Sequence, residues 1–414
     1  MNTAPRGLRQ HVGLFGRRNA GKSSLVNALC GQTVSVVSDV AGTTTDPVEK
    51  AAEIHPLGPV VFIDTPGSDD EGPLGDLRVA RMRAILDRVD AAVLVADSRV
   101  FGDAEEALLA EFSRRGIPVV VALNKADLAS PDGSLVTRLG RSAVAVVSTA
   151  ATRGDGVDVV RGALVEALRA ADEPASLLGD LVPPGRLCVM VVPIDPEAPR
   201  GRLILPQVQA IRDVLDHDAM TLVVKERELR VALGLLKSPP ALVVTDSQAF
   251  LKVTADTPAE VPLTSFSILL ARHKGDLDEF VRGCFAIESL RPGDRVLVAE
   301  ACTHHPAGED IGRVKIPRWL TRYVGGQLEF DFCAGHDFPD DPSPYRLVVH
   351  CGSCMINRRT VLSRIARCRQ HGVPIANYGM TIAYSLGIFE RALEPFPSAL
   401  DTFVRLRSAA RLSS

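Results

Sequence analysis

Two groups of residues carry the chemistry of this chain. Near its start, Gly16-Arg17-Arg18-Asn19-Ala20-Gly21-Lys22-Ser23 follows the apolar run Val12–Phe15 and leads into Ser24-Leu25-Val26-Asn27-Ala28-Leu29. A glycine-rich turn between strand and helix lets main-chain N–H groups close around the β- and γ-phosphates of a nucleotide. Lys22 adds a point charge, and the Ser23 hydroxyl is placed to ligate magnesium. In the last third, Cys302, His304, His350, Cys351 and Cys354 form a C-x-H…H-C-x-x-C set. Thiolates and imidazoles at that spacing are metal-ligand chemistry, because sulfur donors suit zinc, copper(I) or iron–sulfur clusters. The residues alone fit two sites: a closed zinc site using four of the five groups, or a 4Fe–4S cluster on three thiolates.

Three further motifs complete the phosphate site. Val60–Ile63 ends in Asp64-Thr65-Pro66-Gly67, where the Asp64 carboxylate holds magnesium and the Gly67 amide senses the γ-phosphate. Between the motifs, Gly42-Thr43-Thr44-Thr45-Asp46 supplies a hydroxyl to the metal; Thr44 is the one chosen among three adjacent threonines. Val119–Leu123 runs into Asn124-Lys125-Ala126-Asp127. The Asp127 carboxylate accepts from the ring N–H and the exocyclic amine of guanine, whereas adenine would leave that charge unpaired. Ser148-Thr149 is a weaker base-contact candidate behind another Val-rich strand. The expected nucleotide-binding set is therefore Gly16, Asn19, Ala20, Gly21, Lys22, Ser23, Ser24, Asp64, Gly67, Asn124, Lys125, Asp127, Ser148 and Thr149. Lys22, Thr44, Asp64 and Gly67 are the catalytic candidates, with magnesium on Ser23, Thr44 and Asp64.

The elements that must position these groups alternate between strand and helix patterns, which predicts an α/β chain. Motifs at the carboxyl ends of successive strands imply a parallel sheet with helices on both faces. A strand at Leu187–Val192, a helix at Gln207–Leu215, a strand at Thr221–Val224, a helix at Glu226–Leu236 and a strand at Leu242–Thr245 follow a linker-like break at Glu173-Pro174 and Val182–Gly185. That small sheet has no phosphate-cradling turn and suits self-association. Strands at Arg295–Glu300 and Arg346–Val349 deliver the two metal-ligand groups, with Gly352 permitting the tight C-x-x-C turn. Cys30, Cys188, Cys284 and Cys368 read as packed thiols, and His217 as a residue without a partner. Cys333 and His336 are either substitute ligands or, as the Asp- and Pro-rich neighbourhood favours, part of a solvent-facing insertion, and His305 neighbours the site. Arg358 and Arg359 either balance an anionic group or lie on a solvated helix face.

Bulk composition narrows the classes. With 414 residues, 46% hydrophobic and 23% charged, the chain is long enough for two to four domains. A net charge of −3 gives no bulk attraction for nucleic acid or an anionic membrane. No apolar run reaches the length of a membrane span, no leader is visible, and cysteines clustered beside histidines suit a reducing cytoplasm.

The Gly16–Leu29 run, with Gly-Thr-Thr-Thr-Asp and Asp-Thr-Pro-Gly, resembles the tRNA-modification and ribosome-assembly branch of small GTPases. By that resemblance Asn19 ligates a potassium ion bridging the phosphates, and hydrolysis is potassium-stimulated. Ser68 stands where Ras-like proteins carry a water-orienting glutamine, which implies slow intrinsic turnover. The C-x-H, then 45 residues (305 to 349), then H-C-x-x-C, behind a GTPase and a middle α/β segment, looks like the FeFe-hydrogenase maturation GTPase family, HydF. This resemblance runs over essentially the whole chain. It implies a P-loop GTPase domain at 1–173, a small α/β dimerisation domain at 185–263 and an α/β iron–sulfur cluster domain at 264–414. It further implies that Cys302, Cys351 and Cys354 hold a 4Fe–4S cluster. His304 and His350 become candidates for a labile fourth ligand or for support behind the cysteines. The implied function is a GTP-hydrolysing scaffold, cytoplasmic and homodimeric, using GTP, Mg2+ and K+. It receives a transient di-iron precursor made by two radical-SAM maturases and delivers it to the FeFe-hydrogenase apo-enzyme. The competing class is a GTPase of RNA modification or ribosome assembly with a structural zinc module, which requires a basic RNA-binding face.

Overall fold

The computed structural model describes residues 9–31, 48–65, 82–170, 176–193, 203–301, 310–335 and 337–413. It divides into two units, Met1–Glu173 and Pro174–Ser414. In the first, β1 (Gln10–Phe15), β2 (Val48–Ile54), β3 (Gly58–Asp64), β4 (Ala91–Asp97), β5 (Val119–Asn124) and β6 (Ala145–Ser148) form one sheet in the order β2-β3-β1-β4-β5-β6. Only β2 runs antiparallel to its neighbour; the other pairs are parallel. Residues 91–96 of β4 are all buried, the unbroken apolar run of a strand covered on both faces. Alternation along the strands divides the core in two. Val12, Leu14, Val93 and Val120 face α1 (Lys22–Cys30) and the helix Val157–Ala170, whereas Phe15, Leu94 and Val121 face the opposite layer. That layer is α2 (Asp103–Arg114), whose Phe112 packs edge-on against Phe15, and α3 (Gly133–Leu139); the helix Val157–Ala170 is α4.

The second unit holds two four-stranded sheets, and every strand pair in them is parallel. One has the order β10-β9-β7-β8, from β7 (Leu187–Val191), β8 (Met220–Val224), β9 (Leu242–Thr245) and β10 (Leu263–Ser265). The other has the order β12-β11-β13-β14, from β11 (Arg295–Glu300), β12 (Glu329–Ala334), β13 (Leu347–His350) and β14 (Ile375–Asn377). Their helices are α5 (Leu205–Asp216), α6 (Leu229–Gly234), α7 (Phe250–Asp256), α8 (Phe266–Lys274), α9 (Leu277–Phe285), α10 (Ile316–Val324), α11 (Arg358–Gln370), α12 (Tyr378–Ser385), α13 (Phe389–Leu393) and α14 (Pro397–Ser413). One continuous apolar core contains Met190 and Val244 of the first sheet, Leu297 and Val348 of the second, and Ile268, Leu269 and Leu270 of α8. The boundary expected between 263 and 264 falls inside β10, which pairs with β9. Chain leaving β10 enters α8 directly, through Ser265, whose hydroxyl accepts from the Ile268 amide as the helix cap. The helix expected over Glu226–Leu236 is shorter, Leu229–Gly234, because Lys225–Glu228 form a turn closed by the Glu228 side chain on the Lys225 amide.

Candidate functional site

The phosphate site is built from backbone more than from side chains. Gly16 sits at φ 138°, and a Cβ there would come within 2.1 Å of the Val95 carbonyl oxygen. Gly21 sits at φ 97°, and a Cβ there would strike Asn124 Nδ2 at 2.1 Å. Only glycine fits both positions. Gly21 caps α1 with no side chain, and the first turn carries no acidic residue, so the helix amino end offers its N–H groups and partial positive charge to an anion. Lys22 is buried; its Nζ donates to Gly16 O (3.0 Å) and Arg17 O (2.8 Å), which suspends the ammonium over the loop. Ser23 Oγ donates to Asp64 Oδ2 at 2.5 Å, while Asp64 Oδ1 is buried with no hydrogen-bond partner among the described residues. A hydroxyl beside a carboxylate with a vacant lone pair is a donor set for Mg2+. Asn19 adopts the left-handed region at φ 58° and lines the same cavity.

That cavity, 470 Å³, runs from Asn19, Lys22 and Asp64 to Asn124, Lys125 and Asp127. Its far end is bolted by Asn124. The buried amide donates to Ala20 O (2.9 Å) and accepts at Oδ1 from Thr149 Oγ1 (3.1 Å) and the Ala151 amide (3.0 Å). Asn124 thus joins the phosphate loop to the loop after β6. Lys125, at φ 61°, pairs with Asp97 (3.0 Å). The hydrogen bond from Arg99, ahead of that from Lys125, holds the Asp97 carboxyl well below the usual carboxylate range. Asp127 lies 3.4 Å from Arg153 Nε. Thr149 is fully buried and Ser148 exposed; Ala151 and Thr152, which line the cavity, were missed by sequence reasoning because they belong to no motif. Arg17 was missed too. It leaves the cavity to pair with the buried Glu105 of α2 (2.8 Å), tying the phosphate loop to the opposite helix layer. Thr44 and Gly67 lie outside the described residues, as do Ser68 and the neighbouring threonines.

The second site grows from the register of β11 and β13. Ala299 stands opposite His350, so the chain leaving β11 runs beside the chain leaving β13. The Cys351 amide donates to Ala299 O (2.9 Å), and the Ala301 amide donates to Cys351 Sγ (3.0 Å). A second amide, from Ser353, reaches the same sulfur at 3.5 Å. Main-chain donors of this kind favour a thiolate and a bound metal's charge. The turn is not made by Gly352 as its sequence position implies. Ser353 takes the left-handed conformation at φ 61°, and a Cβ on Gly352 would meet only Ser267 Oγ at 3.5 Å and Leu270 Cδ1 at 3.8 Å. Cys351 and Cys354 are half-buried. Burial pushes the Cys354 thiol up, while Lys274 pulls it down.

Two helices and the end of β14 supply what holds this loop. Lys274 ends α8 almost wholly buried and donates from Nζ to Ser353 O (2.9 Å), Ile356 O (2.8 Å) and, more weakly, Cys354 O (3.5 Å). Burial lowers its pKa to about 8, against the opposing pull of Cys354 and Cys351. His350 is completely buried. Arg364 of α11, which can only donate, bonds its Nε2 at 2.8 Å, so the ring proton is on Nδ1 and faces Cys351 O at 2.9 Å. Both ring nitrogens are engaged, one with Arg364 and the other with the loop itself. Burial, then Arg364, pulls its pKa down to about 3. Asn377 Nδ2 also donates to Cys351 O (3.4 Å). Arg358 is half-buried, and its Nη1 donates to His273 O (3.3 Å) and Gly275 O (3.1 Å) at the end of α8.

Cys302 and His304 lie outside the described residues, with His305 and His336. Among the described residues no three His, Cys, Asp or Glu side chains gather as a metal site. Cys333 is not in a loop; it lies in β12 opposite Ala299, and burial pushes its thiol up to about 11. Cys188 and Cys368 are buried thiols pushed up to about 12. His217 has a partner: its Nδ1 lies 2.7 Å from Asp213 O, and its ring covers Gly179.

Three family models match the chain: a Hydrogen maturase F dimerization domain over residues 177–275, a Hydrogen maturase F tetramerization domain over 278–395, and a 50S ribosome-binding GTPase over 11–125. The tRNA modification GTPase MnmE of Burkholderia mallei is 40% identical over 160 residues, 37% of this chain and 34% of that protein. Its counterpart in Burkholderia thailandensis is 38% identical over the same shares. The chain therefore spans about a third of the length of these curated relatives. Among solved structures, the G domain of the T. maritima FeoB iron transporter is 27% identical and covers 38% of this chain and 98% of that one, with a TM-score of 0.30. No helix among the described residues is long and apolar enough to cross a membrane.

Proposed function

We infer the function of this chain from the premise that it belongs to the hydrogen maturase F family, whose two domain models follow a GTPase segment along it. It is a GTPase of hydrogenase maturation. We propose that its second unit is the scaffold of that process: Cys302, Cys351 and Cys354 hold a 4Fe–4S cluster, and the unit carries a di-iron precursor as cargo from two radical-SAM maturases to the apo-hydrogenase. The observation that carries this reading is the Cys351 sulfur, which accepts two main-chain N–H groups in a loop at the carboxyl end of a parallel sheet. A bound cluster supplies an iron site for cargo exchange; the protein supplies sulfur donors, their hydrogen bonds and a buried cation at Lys274.

In the first unit, water attacks the γ-phosphorus in line, the bond to the β-phosphate oxygen breaks, and GDP and phosphate leave. The amino end of α1 and Lys22 stabilise the charge that develops on the phosphate oxygens; Lys22 exchanges its two carbonyl partners for them. Ser23, Asp64 and Thr44 hold Mg2+, which neutralises the phosphates when bound, and Asn19 holds K+. Asp127 selects guanine. The protein acts in the cytoplasm as a homodimer. Support for self-association comes from β8, an edge strand on which Met220 is 53% and Val223 40% exposed.

Purifying the full chain without oxygen tests the scaffold. Stoichiometric iron and sulfide, lost when Cys302, Cys351 or Cys354 is changed to Ser, is the expected result; colourless protein with one zinc overturns it. Hydrolysis is expected to be severalfold faster in potassium than in sodium chloride, and equal rates would remove Asn19 from the ion site. The likeness to the tRNA modification GTPase covers 37% of the chain and supports the nucleotide switch alone.

A further inference from the structure

We propose that Lys274 is a positioning residue for the Cys351–Cys354 loop, fixing its main chain around a buried ammonium so that the sulfurs are presented together; this rests on the cluster-scaffold reading above. Lys274 is 3% exposed, and an ammonium withdrawn from water must have its donors met. A lysine in the last turn of a helix ordinarily serves the carbonyls of its own helix or reaches solvent. Here that work is done by Arg358, which takes the His273 and Gly275 carbonyls from across the unit. Lys274 is directed away, to carbonyls 79 to 82 residues further along the chain. The exchange is reciprocal. The end of α8 grips the loop before α11, and the first residue of α11 grips the end of α8.

The bonds fall at points that decide the loop's shape. Ser353 carries the left-handed turn, and its carbonyl accepts from Lys274 at 2.9 Å. Its hydroxyl is meanwhile tied to His350 Nδ1 (3.2 Å) and Cys351 O (3.2 Å). A non-glycine residue is held in that conformation only where the surroundings over-determine it. Ile356 O, accepting at 2.8 Å, closes the far side just before Asn357 caps α11. The segment from Ser353 to Ile356 therefore bends about one point of positive charge, with Cys354 inside the bend and Cys351 at its entrance. That charge also favours an anionic group on the sulfurs.

The test uses the full chain, first as apo-protein and then reconstituted without oxygen using ferrous iron and sulfide. In Lys274→Met, amide hydrogen exchange over 351–357 in the apo-protein is expected to accelerate by about tenfold, the effect of losing one charged hydrogen-bond donor. Iron loss from the reconstituted protein to a ferrous chelator is expected to speed up by about tenfold, and the electron paramagnetic resonance spectrum of the reduced cluster to broaden. Lys274→Arg should recover most of the exchange protection, and Lys274→Gln should fall between. Wild-type exchange, chelation rate and spectrum in both the Met and the Gln variants overturn the proposal. A lowered melting temperature without locally faster exchange at 351–357 overturns it as well, since that is what a merely structural lysine gives. If the wild-type chain takes up no iron, the scaffold reading fails, while exchange in the apo-protein still decides the role of Lys274.

Discussion

The phosphate loop and the cysteine loop both follow parallel strands, yet they are made in opposite ways. The first is a contiguous stretch whose shape comes from two glycines and whose binding groups are its own N–H donors. The second is shaped by side chains that arrive from α8, α11 and the end of β14, with no glycine in a positive-φ position. A site for a diffusible nucleotide needs open donors, whereas the metal group proposed for the second loop would need its ligands held still before it arrives. Local geometry suffices for the former. The latter depends on the whole unit being folded.

Four substitutions sharpen or break this contrast. The largest effect is expected at Gly16→Ala, where both the φ of 138° and the Val95 oxygen at 2.1 Å oppose a side chain. A loss of about 3 kcal/mol and failure to retain a fluorescent GDP analogue should follow. Gly352→Ala in the cysteine loop should cost under about 0.5 kcal/mol, and comparable losses at both glycines would dissolve the distinction. Next comes Arg364→Met, which strips the hydrogen-bond donor from His350 Nε2 inside the second unit. A fall of about 2 kcal/mol is expected. Urea unfolding followed by Trp319, the single tryptophan, measures it; an unchanged midpoint would mean the loop does not need that support. The smallest effect concerns Asp213 of α5. Burial would raise its pKa, but hydrogen bonds from the Leu178 amide, the Ser176 hydroxyl and the Gly179 amide hold it below the usual range. A folded-state pKa below the unfolded one contributes stability above the unfolded value, near pH 4, and that stability is lost as pH falls through the folded value. About 1 kcal/mol of acid-sensitive stability is expected. Asp213→Asn should flatten the dependence of the urea midpoint between about pH 7 and pH 3.

The same contrast explains what the sequence disclosed. Gly16, Gly21, Lys22, Ser23, Asp64, Asn124 and Asp127 could be read because each motif is short and sits after an apolar strand, and they line or support one cavity. The strands β11 and β13 could also be anticipated, from two apolar runs each followed by cysteine and histidine, though not the register that joins them. What held the second loop could not. Lys274 reads in sequence as the basic end of Phe-Ser-Ile-Leu-Leu-Ala-Arg-His-Lys, and nothing local says that it reaches Ser353. The strand before it, Leu263–Ser265, has three residues and no periodicity to detect. Gly352 looked like the turn residue by type, but the neighbouring serine took the strained conformation because its hydroxyl and carbonyl are both tied down. Cys333 looked like loop because an Asp- and Pro-rich stretch follows it, whereas pairing with β11 decided its place.

The position of β13 between β11 and β14 has a consequence for how the protein comes into being. Parallel neighbours need long crossovers, and closing them is the slow part of folding such a sheet. During synthesis Cys351 and Cys354 emerge before Ile375–Asn377, so the sheet that carries their loop is complete only after the chain has been made through β14.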